Sequence, residues 1–274
     1  MPYIKTRDGT DLYVKDWGSG RPVILIHGWP LSADSWDAQA LALANAGFRA
    51  IAYDRRGFGR SAQPWSGYDY DTLSDDLADV MEQTGATSDA TIVGFSMGGG
   101  EVARYMSRHA GKGIIAAGLI GSVVPYLSKA HDNPNGAPAE VFERMLAGIT
   151  KDRPGFFAGF LKQFLGMGAL SSPVSAETVD WAWNIAMQAG LRGTLECVKS
   201  FGFTDFRGDL PAFHVPTLIV HGTADDIVPI DNSGRVAAKG IAHAQLVEYD
   251  GAPHGFTVTE SDRFTKDLLT FLGK

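Results

Sequence analysis

The stretch Thr91-Ile92-Val93-Gly94-Phe95-Ser96-Met97-Gly98-Gly99-Gly100 constrains this chain more than any other. A run of β-formers ends on a serine between glycines, and Val102, Ala103 and Met106 then recur at helical spacing. Gly94-Phe95-Ser96-Met97-Gly98 fits G-x-S-x-G, the pattern of a serine on a sharp strand-to-helix turn with its hydroxyl above the sheet. The glycines are required because side chains there collide with the neighbouring turn. In a chain with 33 glycines the pattern also arises by chance, and the alternative is a glycine-rich turn serving only packing. The strand before it and the helix after it therefore carry the argument. A chain built on this turn needs a sheet whose strands end near Ser96.

The spacing predicts such a sheet. Tyr3 to Arg7 and Leu12 to Trp17 form a hairpin through Asp8-Gly9, and Val23 to Ile26 is a buried strand. A helix over Ser35 to Ala46, with Trp36, Leu41 and Leu43 inward, stops at Gly47. Arg49 to Tyr53 is the next strand, and Asp54 to Ser61 is a loop broken by glycines. Asp71 to Thr84 is a helix with Leu73, Leu77, Val80 and Met81 on its apolar face. Strands follow at Ala90 to Val93, Gly113 to Gly121, Thr217 to Val220 and Ala244 to Tyr249, and a helix over Asp262 to Leu272 closes the chain. Strands alternating with helices at this pitch predict an α/β fold, a mainly parallel eight-stranded sheet flanked by helices.

Between residues 124 and 213 the alternation stops. Nine of the 15 phenylalanines lie there, and Pro154 to Ser171 contains one charge, Lys162. A helical cap inserted within a single domain spanning residues 1–274 is expected, roofing an apolar pocket. Any single ring can equally serve to glue the cap to the sheet.

A serine hydroxyl is a poor nucleophile at neutral pH and needs an imidazole to take its proton and a carboxylate to orient that imidazole. In an open α/β sheet, reactive groups gather at the carboxyl ends of the strands. Asp225 and His254 stand just after the last two strands, with Asp226 an alternative acid on the same loop. His27 and His221 also end strands, but each precedes a glycine in a loop where a structural hydrogen bond is the commoner role. The remaining His109, His131, His214 and His243 fall on helix, cap or pre-strand positions. The chain order Ser, Asp, His differs from the chymotrypsin-like and subtilisin-like orders. Donors for a developing oxyanion are expected from the backbone amides of Met97, directly after the serine, and Trp29, in the loop after the third strand.

Other classes lose support. The net charge of -7 includes no basic cluster to attract nucleic acid or an anionic membrane, which leaves small neutral molecules as substrates. Cys197 is the only cysteine, so neither an intramolecular disulfide nor a cysteine-based zinc site is available. H-E-x-x-H, a Walker loop and G-x-G-x-x-G are absent, which leaves a metal or nucleotide cofactor unsupported. Neither a signal-peptide core nor an apolar run of membrane-spanning length occurs, and a cytoplasmic protein is expected.

Val93-Gly94-Phe95-Ser96-Met97-Gly98-Gly99-Gly100-Glu101-Val102-Ala103-Arg104-Tyr105 resembles the bacterial cofactor-free haloperoxidases and aryl esterases, also called perhydrolases, of the α/β-hydrolase fold. His27-Gly28-Trp29-Pro30-Leu31, Asp54 to Ser61, and Asp225-Asp226-Ile227-Val228-Pro229 are similar to that family's other blocks; the cap resembles it loosely. The resemblance implies Ser96 as nucleophile, Asp225 as acid, His254 as base, and Trp29 and Met97 as oxyanion donors. It also implies a homo-oligomer that needs no cofactor or metal and cleaves small esters. Hydrogen peroxide, acylated by the enzyme, would give a peracid that oxidises halide. Trp29, Pro30, Phe142, Phe157, Phe160, Phe164, Phe201 and Ile227 are expected to wall the substrate pocket. Pro30 is expected to help select peroxide over water by constraining Trp29. Lactone, amide or carbon-carbon bond cleavage on the same triad is the alternative, and a ligand receptor on this fold the non-enzymatic one.

Overall fold

The computed structural model describes residues 2–168 and 171–274. Strands β1 (Tyr3–Lys5) and β2 (Asp11–Gly18) form the antiparallel hairpin, and β2 pairs antiparallel with β4 (Arg49–Tyr53). The remaining strands, β3 (Pro22–Ile26), β5 (Ala90–Phe95), β6 (Ile114–Ile120), β7 (Thr217–Gly222) and β8 (Ala244–Tyr249), run parallel to their neighbours. The eight-stranded sheet has the order β1-β2-β4-β3-β5-β6-β7-β8. β5 is buried at every position, as a central parallel strand covered on both faces must be, whereas β8 at the edge is half-exposed. The chain leaves β3 towards β4 on one side and returns to β5 on the other, so the strand order reverses beside the Ser96 turn.

Helix α1 (Asp37–Asn45) follows a short 3-10 turn and buries Gln39, Ala40 and Leu43. Leu41, expected inward, is 56% exposed. Trp36, Ala40 and Leu43 stand four and three residues apart and share a face, and Leu41 falls outside that stripe. α2 (Tyr70–Gln83) is capped by Asp69, whose side chain accepts from the Thr72 amide, and buries Leu73, Leu77, Val80 and Met81. α3 (Met97–Arg108) runs back from the Ser96 turn.

Between β6 and β7 lie α4 (Ala139–Phe164), α5 (Ala176–Gln188) and α6 (Leu191–Phe203). α4 is broken at Asp152 (φ -157°, ψ 83°), two residues before Pro154, and the Asp152 carboxylate caps the second half by accepting from the Gly155 amide at 3.0 Å. That second half carries Phe156, Phe157, Phe160 and Phe164. The chain ends with α7 (Gly234–Gly240), α8 (Phe256–Thr259) and α9 (Ser261–Phe271). Among the described residues no helix is long and apolar enough to cross a membrane.

Candidate active site

β5 ends at Phe95 and α3 begins at Met97, so Ser96 alone makes the turn, with φ 52° and ψ -116°. Such a positive φ is costly for a non-glycine residue and is held in place by its surroundings. The turn closes because Gly94 and Gly98 lack side chains. A Cβ on Gly94 would overlap the Gly98 carbonyl, and one on Gly98 would lie 2.5 Å from the Ile26 carbonyl oxygen of β3.

The loops after β7 and β8 bring the other two groups to this point. His254 Nε2 lies 2.9 Å from Ser96 Oγ, and His254 Nδ1 lies 2.6 Å from Asp225 Oδ2. All three residues are buried. Asp225 Oδ1 accepts from the amides of Ile227 (3.0 Å) and Val228 (2.8 Å), so a tight turn fixes the carboxylate. Burial alone pushes the Asp225 carboxyl up, but the charge of His254 and hydrogen bonds from His221 and His254 outweigh it and hold it well below the usual carboxylate range. Asp226 is exposed at the cavity mouth, away from the imidazole's hydrogen bonds. Phe95 and Phe164 flank the His254 ring, with centroids 5.1 and 5.2 Å away.

Trp29 joins the sheet to the helices that lie between β6 and β7. Its indole donates to the Thr194 carbonyl of α6 at 3.1 Å, and its ring lies 5.2 Å from Phe160 and 5.6 Å from Phe201. Among the described residues no acceptor reaches the backbone amides of Trp29 and Met97, and no donor reaches the Trp29 carbonyl. Two unpaired amides flanking a serine are what a developing oxyanion needs. The Trp29–Pro30 peptide is cis.

A cavity of about 690 Å³ opens onto Ser96 and His254. Of the residues expected in its wall, Trp29, Phe142, Phe160, Phe201 and Ile227 line it, and Pro30, Phe157 and Phe164 do not. Phe157, Leu161 and Phe164 follow one face of α4 into the core, where Phe157 packs on Trp29 and Phe164 on His254. Phe156 and Phe160, one turn apart and stacked at 6.0 Å, take the cavity face instead. Phe156 is one of the nine phenylalanines counted between residues 124 and 213 and is not among the rings expected in the pocket, although its i, i+4 relation to Phe160 is a usable signal. The lining is apolar apart from Asn135, Gln163, Asp226, Asn232, Ser96 and His254. Among the described residues no group of three or more His, Cys, Asp or Glu side chains could hold a metal ion.

Sequence reasoning also missed a buried ion pair under the site. Arg55 and Glu101 are wholly enclosed; Arg55 Nε donates to Glu101 Oε1 at 2.5 Å and Arg55 Nη2 to the His27 carbonyl at 2.6 Å. Tyr53 Oη donates to Glu101 Oε2 at 2.7 Å. Glu101 sits on the first turns of α3 and His27 two residues before Trp29, so this pair ties together the two segments that carry the unpaired amides. His27 accepts at Nε2 from the Arg55 amide (2.9 Å) and faces the Gly28 carbonyl through Nδ1 (2.9 Å). Burial and the Arg55 charge push its pKa well below the ordinary value, which leaves it a neutral structural ring. The available signal was Glu101, a single charge between Gly98-Gly99-Gly100 and Val102-Ala103; Arg55 lies among the charges of Asp54 to Arg60 and gave none.

Residues 21–260 match the family described as alpha/beta hydrolase fold. A non-heme chloroperoxidase of Kitasatospora aureofaciens is 43% identical, covering 100% of both chains. A bifunctional esterase/perhydrolase of Acinetobacter calcoaceticus is 42% identical over 99% of both. The crystal structure of a bromoperoxidase from Bacillus anthracis superposes with a TM-score of 0.95 at 43% identity, over 99% of this chain and 100% of that one.

Proposed function

This chain belongs to the alpha/beta hydrolase fold family and groups there with non-heme haloperoxidases and an esterase/perhydrolase, and from that premise we propose a serine ester hydrolase that also acylates hydrogen peroxide. The observation that carries the reading is the line Ser96–His254–Asp225 beside two unpaired backbone amides at the floor of an apolar cavity.

Ser96 Oγ attacks the ester carbonyl while His254 Nε2 takes its proton, and Asp225 stabilises the imidazolium that forms. The amides of Trp29 and Met97 receive the oxyanion, an interaction whose loss typically costs about 100- to 1,000-fold in rate. His254 returns the proton to the departing alcohol, leaving an acyl-Ser96. Water, deprotonated by His254, releases the carboxylic acid. Hydrogen peroxide in its place releases a peracid, which oxidises a halide ion to hypohalous acid away from the protein and becomes the carboxylic acid. The scheme calls on no metal or cofactor. Apolar walls without a lysine or arginine favour small neutral acyl groups, since burial contributes ~25 cal/mol per Å² and an anion would be desolvated without a partner. Residues 124–213 are read as a cap inserted in one domain; a homo-oligomer and a cytoplasmic place belong to the same proposal.

The test is a hydrolysis panel of short, long and aromatic esters with and without hydrogen peroxide. Phenyl acetate is expected to be cleaved well, a dicarboxylate monoester poorly, and peroxide to divert acyl groups to peracid. Preference for the dicarboxylate monoester, or activity surviving in Ser96→Ala, overturns the reading.

A further inference from the structure

β7 ends in His221 and Gly222, and His221 lies fully buried behind the loop that carries Asp225. Its Nε2 stands 2.8 Å from the Val228 carbonyl oxygen and 3.3 Å from Asp225 Oδ2. Nδ1 has no hydrogen-bond partner among the described residues and faces Gly234 of α7, where a Cβ would lie 2.8 Å away. Ser233 Oγ, 3.5 Å from Nε2, donates instead to the Pro229 carbonyl at 2.7 Å. Two acceptors at one ring nitrogen and none at the other assign the proton by hydrogen-bond accounting. His221 carries a proton on Nε2, which it donates to the Val228 carbonyl, with Asp225 Oδ2 beside that N–H at 3.3 Å.

Asp225 Oδ2 therefore faces two N–H groups, His254 Nδ1 at 2.6 Å and His221 Nε2 at 3.3 Å. Val228 closes the ring: its amide holds Asp225 Oδ1 while its carbonyl is held by His221. We propose that His221 is a positioning residue of this site, which holds the acid loop and takes part of the Asp225 charge, and so sets the pH at which His254 becomes a free base. The inference rests on the reading of Ser96, His254 and Asp225 given above.

A carboxylate whose charge is already partly offset by a second donor group lying beside it attracts the His254 imidazolium less strongly. Without that donor the imidazolium is better stabilised and keeps its proton to higher pH, whereas catalysis needs the neutral imidazole. The other charged groups around these rings stay in place when His221 is changed. Asp226 is exposed at the cavity mouth, and Glu248, opposite His221 on β8, is paired with Arg235 of α7 at 2.5 Å. Ser96, Phe95 and Phe164, which flank His254, carry no charge.

The decisive variants are His221→Phe, which keeps the ring and removes both nitrogens, and His221→Gln, whose amide reaches the Nε2 position. In wild type and variants, kcat/KM for phenyl acetate is followed against pH, per active site counted by reaction of Ser96 with an organophosphate. His221→Phe is expected to move the acid limb up by roughly half to one pH unit and His221→Gln to return it. A residue that only packs would lower the melting temperature and the number of titratable sites and leave the limb in place. An unmoved limb in His221→Phe, or an equal movement in both variants, overturns the proposal. Should the phenylalanine variant not fold, His221→Asn, whose amide falls short of Asp225, takes its place in the same comparison. Ser96→Ala keeps the two readings apart: activity surviving there defeats the triad itself, whereas an immobile limb in a Ser96-dependent enzyme defeats only the role of His221.

Discussion

At the scale of single residues, two adjacent aspartates show how little separates a buried carboxylate bonded to an imidazole from an exposed one. Asp225 is buried and bonded to His254 at 2.6 Å, while Asp226 is exposed at the cavity mouth. Asp225→Asn is therefore expected to lower kcat for phenyl acetate by about 10⁴-fold, because an amide stabilises neither the right tautomer nor the imidazolium. Asp226→Asn should stay within a few-fold, and steady-state kinetics of the two variants, side by side, would move the acid by one residue if the order were reversed. Ser96→Ala and His254→Ala should each abolish turnover, and their double variant should be no slower than either, since they act as one proton-transfer unit. Pro30 follows the Trp29 carbonyl, which no donor reaches among the described residues and which can accept from a bound peroxide. Pro30→Leu is expected to lower the ratio of peracid to acid several-fold with phenyl acetate hydrolysis kept, a change under the tenfold that ~1.4 kcal/mol represents. An unchanged ratio would remove Pro30 from the choice between peroxide and water.

At the scale of elements, α4 and α3 each divide their work by face. Phe157 and Phe160 are three residues apart, yet one is buried against Trp29 and the other lines the cavity. Phe157→Ala should cost about 3–5 kcal/mol in urea denaturation, the range for emptying a buried aromatic site. Phe160→Ala should cost less and instead shift activity towards longer esters, so equal stability losses would contradict the assignment of faces. α3 carries Glu101 into the interior, where it is wholly buried and Arg55 is its partner. Glu101→Ala leaves the Arg55 guanidinium buried and uncompensated and should cost about 3–5 kcal/mol, with the same denaturation experiment as its check.

For the whole molecule, the balance of charge in the fold predicts how stability responds to acid. The Asp225 carboxyl, with an ordinary value of 3.8, is held lower in the folded protein, and Asp75 is likewise lowered, first by its hydrogen bond with Arg108. An acid whose folded value is depressed contributes stability that is fully present above its unfolded value and is lost as pH falls through the folded one. The difference in melting temperature between wild type and Asp225→Asn should therefore be full at pH 7 and shrink once the pH drops below about 4. A difference that persists unchanged well below that would show that the Asp225 charge does not support the fold.

Much of this molecule is legible along the chain because its patterns are local. Apolar runs of three to seven residues mark β3 to β7, helical spacing marks α2 and α9, and the glycines about Ser96 announce a turn that no other residue type permits. Asp225 and His254, which meet at 2.6 Å, were expected together because both stand where strands end, the place at which α/β sheets present reactive groups. Tertiary structure alone decided which ring of α4 turns to the cavity, that Leu41 faces outward, that Arg55 and Glu101 meet in the interior, and that His221 reaches the same carboxylate oxygen as His254. Apart from the approach of His221 to Asp225, which spans four residues of the chain, each of these is a contact between segments far apart in sequence, or a choice of helix face made by what packs against it. Local propensity and periodicity say nothing about either, because the energy that selects them comes from burying the partner surface and satisfying its polar groups.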